Sequence, residues 1–277
     1  MGATEDAASG RAARPGDMAL HSVGSSRRAL VLGLARSGEA AALALARRGV
    51  RVVGVDRNEE LDAGRLREHG VEVVLGAEDP ALVDDVDLLI KSPGVPDEVP
   101  LVAAARARGV AVWSEVELGA RILANPLLGV TGTNGKTTTS ELLGEIFRAA
   151  GRPVTVAGNV GRPLTGLDGA VAEEAWIVCE LSSFQLQDID ELRPRVGVLL
   201  NLTPDHLDRH ADLDAYRAAK LRIFENQGPD DVAVVPRGFP AVPGDGRRVE
   251  FAPDDPLPAE PRIPGAHNRE NAAAATA

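Results

Sequence analysis

The sequence predicts an α/β protein made of two successive parallel-sheet units, and three observations point there. Short apolar runs alternate with helix-patterned stretches along most of the chain. A glycine-rich turn follows the first apolar run of each series. The 277 residues are also too many for one ordinary compact unit of about 150. The balance of 44% apolar and 26% charged residues is that of a soluble globular chain. No apolar stretch approaches the roughly 20 residues of a membrane helix, so no membrane segment is expected. Thirty Lys and Arg against 41 Asp and Glu give a formal charge of -11, which argues against a nucleic-acid partner. Phosphate can still bind locally at a helix start with one lysine. A lone cysteine, Cys179, excludes an internal disulfide and fits a reducing, cytoplasmic setting.

Residues 1–27, rich in Ala, Gly, Arg and Ser, lack a signal peptide's apolar core and are expected to be a disordered leader, with Met18 an alternative start. The first unit, 28–125, opens on the run Ala29 to Leu32, a glycine turn, an Ala- and Leu-rich helical stretch from Glu39 to Arg48, and a run from Val50 to Val55 ending in Asp56. Runs at Val71 to Leu75, Val86 to Ile90 and Val110 to Trp113 continue the alternation, which implies a small doubly wound, Rossmann-like sheet. The second unit, 126–277, starts at Leu127 to Val130, then a Gly-Thr-rich loop and a helix ended by Gly151. Runs at Trp176 to Cys179, Val196 to Leu200 and Val232 to Val235 read as buried parallel strands. Between Pro236 and Pro264 only Arg248 to Phe251 gives a weak strand signal. The closing stretch from Asn271 to Ala277 reads as a helix opening without an end, an expected truncation.

The most informative segment is Gly129-Val-Thr-Gly132-Thr133-Asn134-Gly135-Lys136-Thr137-Thr138, between an apolar strand and an amphipathic helix. Its glycines let backbone N–H groups turn toward phosphate, and the helix start adds partial positive charge. Lys136 would meet the β- and γ-phosphates, and the Thr137 hydroxyl would ligate magnesium. The strict G-x-x-x-x-G-K-[ST] pattern fails by one position, since Val130 stands where glycine is needed. The shorter Gly132-x-x-Gly135-Lys136-Thr137 fits, and a plain turn before a helix is the bland alternative.

Five further segments follow: Gly158-Asn159-Val160-Gly161, Glu180-Leu-Ser-Ser-Phe-Gln-Leu186, Asn201-Leu-Thr-Pro-Asp-His206-Leu-Asp208, Tyr216-Arg-Ala-Ala-Lys220-Leu-Arg-Ile-Phe-Glu225 and Gly265-Ala-His267-Asn268-Arg-Glu-Asn271. Six in this order resemble the Mur ligase family, most of all its D-glutamate-adding type, over nearly everything after the leader. The resemblance implies an ATP-binding, P-loop-type parallel-sheet ATPase unit in which Glu180 and His206 hold magnesium, with Thr137. It makes Lys220 a carbamylated lysine that bridges toward the metal, although periodicity alone reads it as the wet face of an amphipathic helix. Asn268 and Asn271 would meet adenine, with helix capping the competing reading. Lys136, Glu180, His206 and Lys220 are the residues expected to carry catalysis.

In the first unit Gly33-Leu-Ala-Arg-Ser-Gly38 is an imperfect G-x-G-x-x-G, with Asp56 about 20 residues on, a pattern shared with nicotinamide dehydrogenases. No acid or base for hydride transfer follows it. In the family the same fold binds a UDP-sugar, which places Arg36 and Ser37 near the diphosphate, Asp56 and Arg57 near the nucleotide, and Ser92-Pro93-Gly94 near the uracil. Asn159 resembles the residue at the acceptor carboxylate, and Ser182 is either a substrate contact or a helix cap.

The chemistry implied is transfer of the γ-phosphoryl group of ATP to the carboxylate of UDP-N-acetylmuramoyl-L-alanine, then attack of the D-glutamate amine on the acyl phosphate. That is a step of peptidoglycan synthesis by a monomer using ATP and Mg2+. Family members continue into a third domain that receives the amino acid, so this chain is expected to bind both ligands and turn over poorly. Another Mur or folylpolyglutamate-type ligase, or a non-catalytic nucleotide- and UDP-sugar-binding protein, are the alternatives.

Overall fold

The structure is a computed structural model describing residues 28–206 and 208–277; the expected leader lies outside the described residues. The first sheet contains β1 (Arg28–Leu32), β2 (Arg51–Asp56), β3 (Glu72–Leu75), β4 (Leu88–Lys91) and β5 (Ala111–Ser114), in the order β3-β2-β1-β4-β5. Every pairing is parallel. Ala29, Leu30, Val31 and Leu32 are all buried, because β1 is central and covered on both faces, which is why it reads as an unbroken apolar run. Helix α1 (Arg36–Ala46) packs on it through Ala41, Ala42 and Leu45, and Gly49, at φ +78°, turns the chain into β2. Two shorter helices, α2 (Gly64–Glu68) and α3 (Pro100–Ala107), complete the layers. The order reverses between β1 and β4, so the loops leaving those two strands diverge and open a crevice.

Helix α4 (Glu115–Ile122) joins the units, with Leu118 in the first core and Val116 in the second. The fully buried Glu117 carboxylate accepts from the N–H groups of Asp190, Glu191 and Leu192 at 2.9–3.0 Å and from Arg121. Glu115 is equally buried, and its Oε1 accepts from both the N–H and the hydroxyl of Thr165 at 2.6 Å. Burial raises its pKa to about 7.

The second sheet holds β6 (Leu127–Thr131), β7 (Val154–Gly158), β8 (Trp176–Glu180), β9 (Val196–Leu199), β10 (Val232–Pro236) and β11 (Arg247–Phe251), ordered β11-β10-β9-β6-β8-β7 and again parallel throughout. Helices α5 (Lys136–Ala149), α6 (Ser183–Gln187), α7 (Leu213–Leu221) and α8 (Ala266–Thr276) pack around it. Gly151, at φ +66°, follows α5 as expected. The weak signal before Phe251 is a real edge strand, while β7 was not anticipated. With β6 between β8 and β9, the loops after all three strands meet at one edge.

Candidate active site

The β6–α5 loop sits at that edge. Gly135 caps α5 at φ +84° with no side-chain cap bond, which leaves the first helical N–H groups without a side-chain acceptor. A Cβ on Gly135 would lie 2.2 Å from Asn271 Oδ1, and its φ of +84° is one that L side chains rarely adopt, so glycine suits this position beside α8. Lys136 Nζ donates back to the carbonyls of Gly132 and Thr133 at 3.0 and 2.9 Å. Burial holds its pKa below the usual lysine value, partly offset by Glu180 and Asp205. Asn134 is held by its backbone, which exchanges hydrogen bonds with the Asn201 amide at 2.9 and 3.2 Å. The Thr133 hydroxyl accepts from Thr203 N–H at 3.0 Å and contacts the Tyr216 hydroxyl at 3.0 Å. Thr138 lies in the first turn of α5.

Glu180, the last residue of β8, is buried, and its carboxylate joins two segments. One oxygen accepts from the Thr137 hydroxyl at 2.7 Å and the other from the Asn159 amide at 2.9 Å. Lys220, on α7, is buried over the Tyr216 ring and donates to the Gly132 carbonyl at 2.8 Å. Burial first, and then the Lys136 charge, lower its pKa to about 7. Both lysines therefore point at the same loop carbonyl. His206 stands in a half-exposed turn at φ +54°, the one non-glycine residue with positive φ among the described residues. It pairs with Asp205 at 3.5 Å and packs on the Phe184 ring. Among the described residues no cluster of three His, Cys, Asp or Glu stands at metal-holding distance. Thr137 and Glu180 stand side by side, 2.7 Å apart.

On α8, Asn268 and Asn271 are both buried. Asn271 faces Gly135, whereas the Asn268 amide donates to its own turn at the Pro264 carbonyl, 2.9 Å away. His210 escaped the sequence reading. It is buried, stacked on Phe184 and edge-on to Tyr216, with Nε2 2.9 Å from the Ser183 hydroxyl. Burial, then His206 and Lys220, lower its pKa.

Against the crevice of the first sheet lies a cavity of about 530 Å³. Arg36, Ser37, Asp56, Arg57, Ser92, Pro93 and Gly94 line it from the first unit, and Asn159 from the second. Helix α1 has Ala35 at its N-cap and no side-chain cap, so its first N–H groups are also unclaimed by a side chain. A Cβ on Gly38 would fall 1.8 Å from the Gly33 carbonyl oxygen, so the close turn needs glycine. The Asp56 carboxylate accepts from the N–H groups of Leu34 and Asn58 at 2.6 and 2.9 Å, and the Ser92 hydroxyl donates to Gly33 at 2.7 Å. Arg36 reaches the Gly161 carbonyl of the second unit at 3.0 Å. Ser182 does not line this cavity. It forms a capping box at the start of α6 with Gln185, so its hydroxyl serves the helix.

Residues 27–114 match the Mur ligase MurD-like N-terminal domain, and residues 130–244 match the Mur ligase middle domain. The chain is 47% identical to the UDP-N-acetylmuramoylalanine--D-glutamate ligase of Trichlorobacter lovleyi, over 76% of this chain and 48% of that one. It is 51% identical to the enzyme of the same name from Anaeromyxobacter dehalogenans, over 75% of this chain and 46% of that one. It thus spans about half the length of the curated relatives it matches. The fold is similar to that of the UDP-N-acetylmuramate:L-alanyl-gamma-D-glutamyl-meso-diaminopimelate ligase of Neisseria meningitides, with a TM-score of 0.59 at 20% identity, covering 90% of this chain and 91% of that one. A murein peptide ligase from Psychrobacter arcticus gives 0.54 at 17% identity, covering 90% and 64%. Its paired parallel sheets, its phosphate-type loop and both domain matches agree that the chain belongs to the Mur ligase family.

Proposed function

We propose that these residues form the nucleotide- and UDP-substrate-binding part of an ATP-dependent ligase that adds D-glutamate to UDP-N-acetylmuramoyl-L-alanine. The observation that carries the reading is Asn159, which lines the large cavity and bonds Glu180 beside the phosphate loop. One side chain separates the two sites, so a carboxylate held in the cavity would lie near a γ-phosphate held by the loop. On nucleotide binding, Lys136 exchanges its two loop carbonyls for phosphate oxygens, and the N–H groups of α5 hold the remainder. The α1 N-terminus with Arg36 and Ser37 receives the diphosphate of the UDP-substrate, while Asp56, Arg57 and Ser92 to Gly94 frame its nucleotide end. Asn271 sets the adenine side, with Asn268 next to it.

The Thr137 hydroxyl and the Glu180 carboxylate are hard oxygen donors 2.7 Å apart, and magnesium in nucleotide sites takes only one or two protein carboxylates, so the pair fits it; His206 is added as a further ligand by the family resemblance alone. Bound there, Mg2+ would supply charge neutralisation at the β- and γ-phosphates. Lys220, with a pKa near 7, holds much of its amine neutral at physiological pH. The neutral amine is the form that adds CO2 and releases a proton to become a carbamate. Loss of activity in Lys220→Ala with rescue by a short-chain carboxylic acid is expected; an unaffected variant contradicts that role.

Calorimetry of Lys136→Ala tests the site. Loss of charge-assisted bonds worth about 1.5–3 kcal/mol predicts roughly 10- to 100-fold weaker ATP binding, with UDP-substrate affinity unchanged. Equal ATP affinity in the variant would contradict the reading. The amide step is read as ADP release requiring both D-glutamate and the UDP-substrate, and release indifferent to D-glutamate would contradict it.

A further inference from the structure

Lys91 closes β4 at the carboxyl edge of the first sheet, next to the cavity-lining loop that starts at Ser92, and its side chain is 2% exposed. It meets two carboxylates. One belongs to Asp97, at the far end of that loop. The other belongs to Asp188 of the second unit, 2.8 Å away, as an ion pair without the geometry of a directed hydrogen bond. Arg106 of α3 closes the group, donating to Asp97 at 3.0 Å and to Asp188 at 2.8 Å. The Asp188 carbonyl also accepts from the Ser114 N–H at the end of β5, at 2.7 Å. Main chain and side chain of one residue thus dock the second unit onto the edge of the first sheet.

Buried ion pairs add little net stability compared with apolar packing, because desolvation offsets the attraction. Their best-attested effect is to fix register. Here the register concerns the two ligand sites. Asp188 follows α6, a single short helix that begins just after Glu180, and Lys91 immediately precedes Ser92. A second tether acts on the same loop, since Arg209 donates to the Val95 carbonyl at 3.3 Å while its guanidinium lies 4.5 Å over the Phe184 ring of α6.

We infer that Lys91 and Asp188 are positioning residues that couple the two sites, so that a ligand in the cavity and a nucleotide at the β6–α5 loop strengthen each other's binding. This rests on the two-site reading proposed above. The loop and α6 can shift only together, and each ligand therefore selects the arrangement the other requires.

The test is calorimetric titration of a magnesium-loaded, non-hydrolysable ATP analogue into the full chain, with and without saturating UDP-N-acetylmuramoyl-L-alanine. In the wild type the UDP-substrate is expected to tighten nucleotide binding at least about fivefold, with the same factor in the reverse titration. The double variant Lys91→Met/Asp188→Asn removes both charges at similar size, which avoids stranding one buried ion. It is expected to bind each ligand alone within about threefold of the wild type while its coupling falls below about twofold. Coupling that survives in the double variant overturns the inference, as does uncoupled binding of both ligands by the wild type. Loss of either ligand's own affinity in the variant overturns it too, by assigning the pair to one site. Failure of the wild type to bind either ligand would instead remove the two-site reading itself.

Discussion

The cavity of the first unit and the phosphate loop of the second differ in how their polar groups are engaged. Around the cavity the main devices are backbone ones: an uncapped helix start, a turn closed by Gly38 against the Gly33 carbonyl, and Asp56 and Ser92 tying that turn in place. At the loop the side chains close on one another and on their own backbone, with Lys136 and Lys220 on the Gly132 carbonyl and Thr137 and Asn159 on Glu180. On the function proposed, a ligand enters the first site by fitting its shape, whereas phosphate at the second takes the place of the Lys136 bonds to the loop carbonyls and meets the uncapped N–H groups of α5. The first should therefore be sensitive to added volume and the second to lost charge.

The largest effect is expected from Gly38→Ala, which sets a methyl 1.8 Å from a carbonyl oxygen that cannot swing away. Overpacking of that severity costs about 3 kcal/mol or more of folded-state stability, read as a lower Tm, and the displaced turn should weaken UDP-substrate binding. Nucleotide binding measured in parallel should hold within a few-fold. Equal losses at both ligands would erase the contrast between the sites.

Next comes Glu115→Gln, at the junction between them. The folded-state pKa of Glu115, about 7, lies above its ordinary 4.5, so the folded chain keeps a proton that the unfolded chain has lost. Its stabilising contribution is complete below about 4.5 and is lost as pH rises through about 7, on the order of 3 kcal/mol. Urea unfolding of wild type and Glu115→Gln at pH 5 and pH 8 should show the glutamine variant gaining on the wild type at the higher pH. Parallel pH dependences would mean that Glu115 ionises freely in the fold.

The smallest effect is expected from Ser182→Ala. Loss of the α6 cap should cost about 1 kcal/mol, seen as a lower Tm, with UDP-substrate affinity intact because Ser182 stands apart from the cavity. A tenfold drop in that affinity would return Ser182 to the substrate site.

Much of the geometry of the candidate phosphate site was legible in sequence because it depends on local order. A strand end, a glycine loop and a helix start lie within ten residues at β6–α5, and parallel topology brings Glu180 to the same edge. The residues lining the cavity were named by the family resemblance, since the imperfect Gly33 to Gly38 motif alone says little about them. What escaped depends on distant partners. Glu115, Glu117 and Arg121 carry the charge pattern of a solvated helix, yet all three are buried because residues 165 and 190–192 supply their partners. Lys91 ends an apolar run as a surface lysine would, and only Asp97 and Asp188 make its burial tolerable. Nothing near His210 in the chain marks the aromatic box that Phe184 and Tyr216 build around it. The strand β7 was missed because Val154 to Val156 is short, half-buried and at the sheet edge.

On the function proposed, two separate ligand sites meet across Asn159 and Glu180. The most direct measurement of that arrangement is titration of the ATP analogue into chain already saturated with UDP-N-acetylmuramoyl-L-alanine. A ternary complex with one of each ligand per chain is expected, with nucleotide binding weakened by Lys136→Ala and UDP-substrate binding weakened by Gly38→Ala. Displacement of either ligand by the other would contradict it.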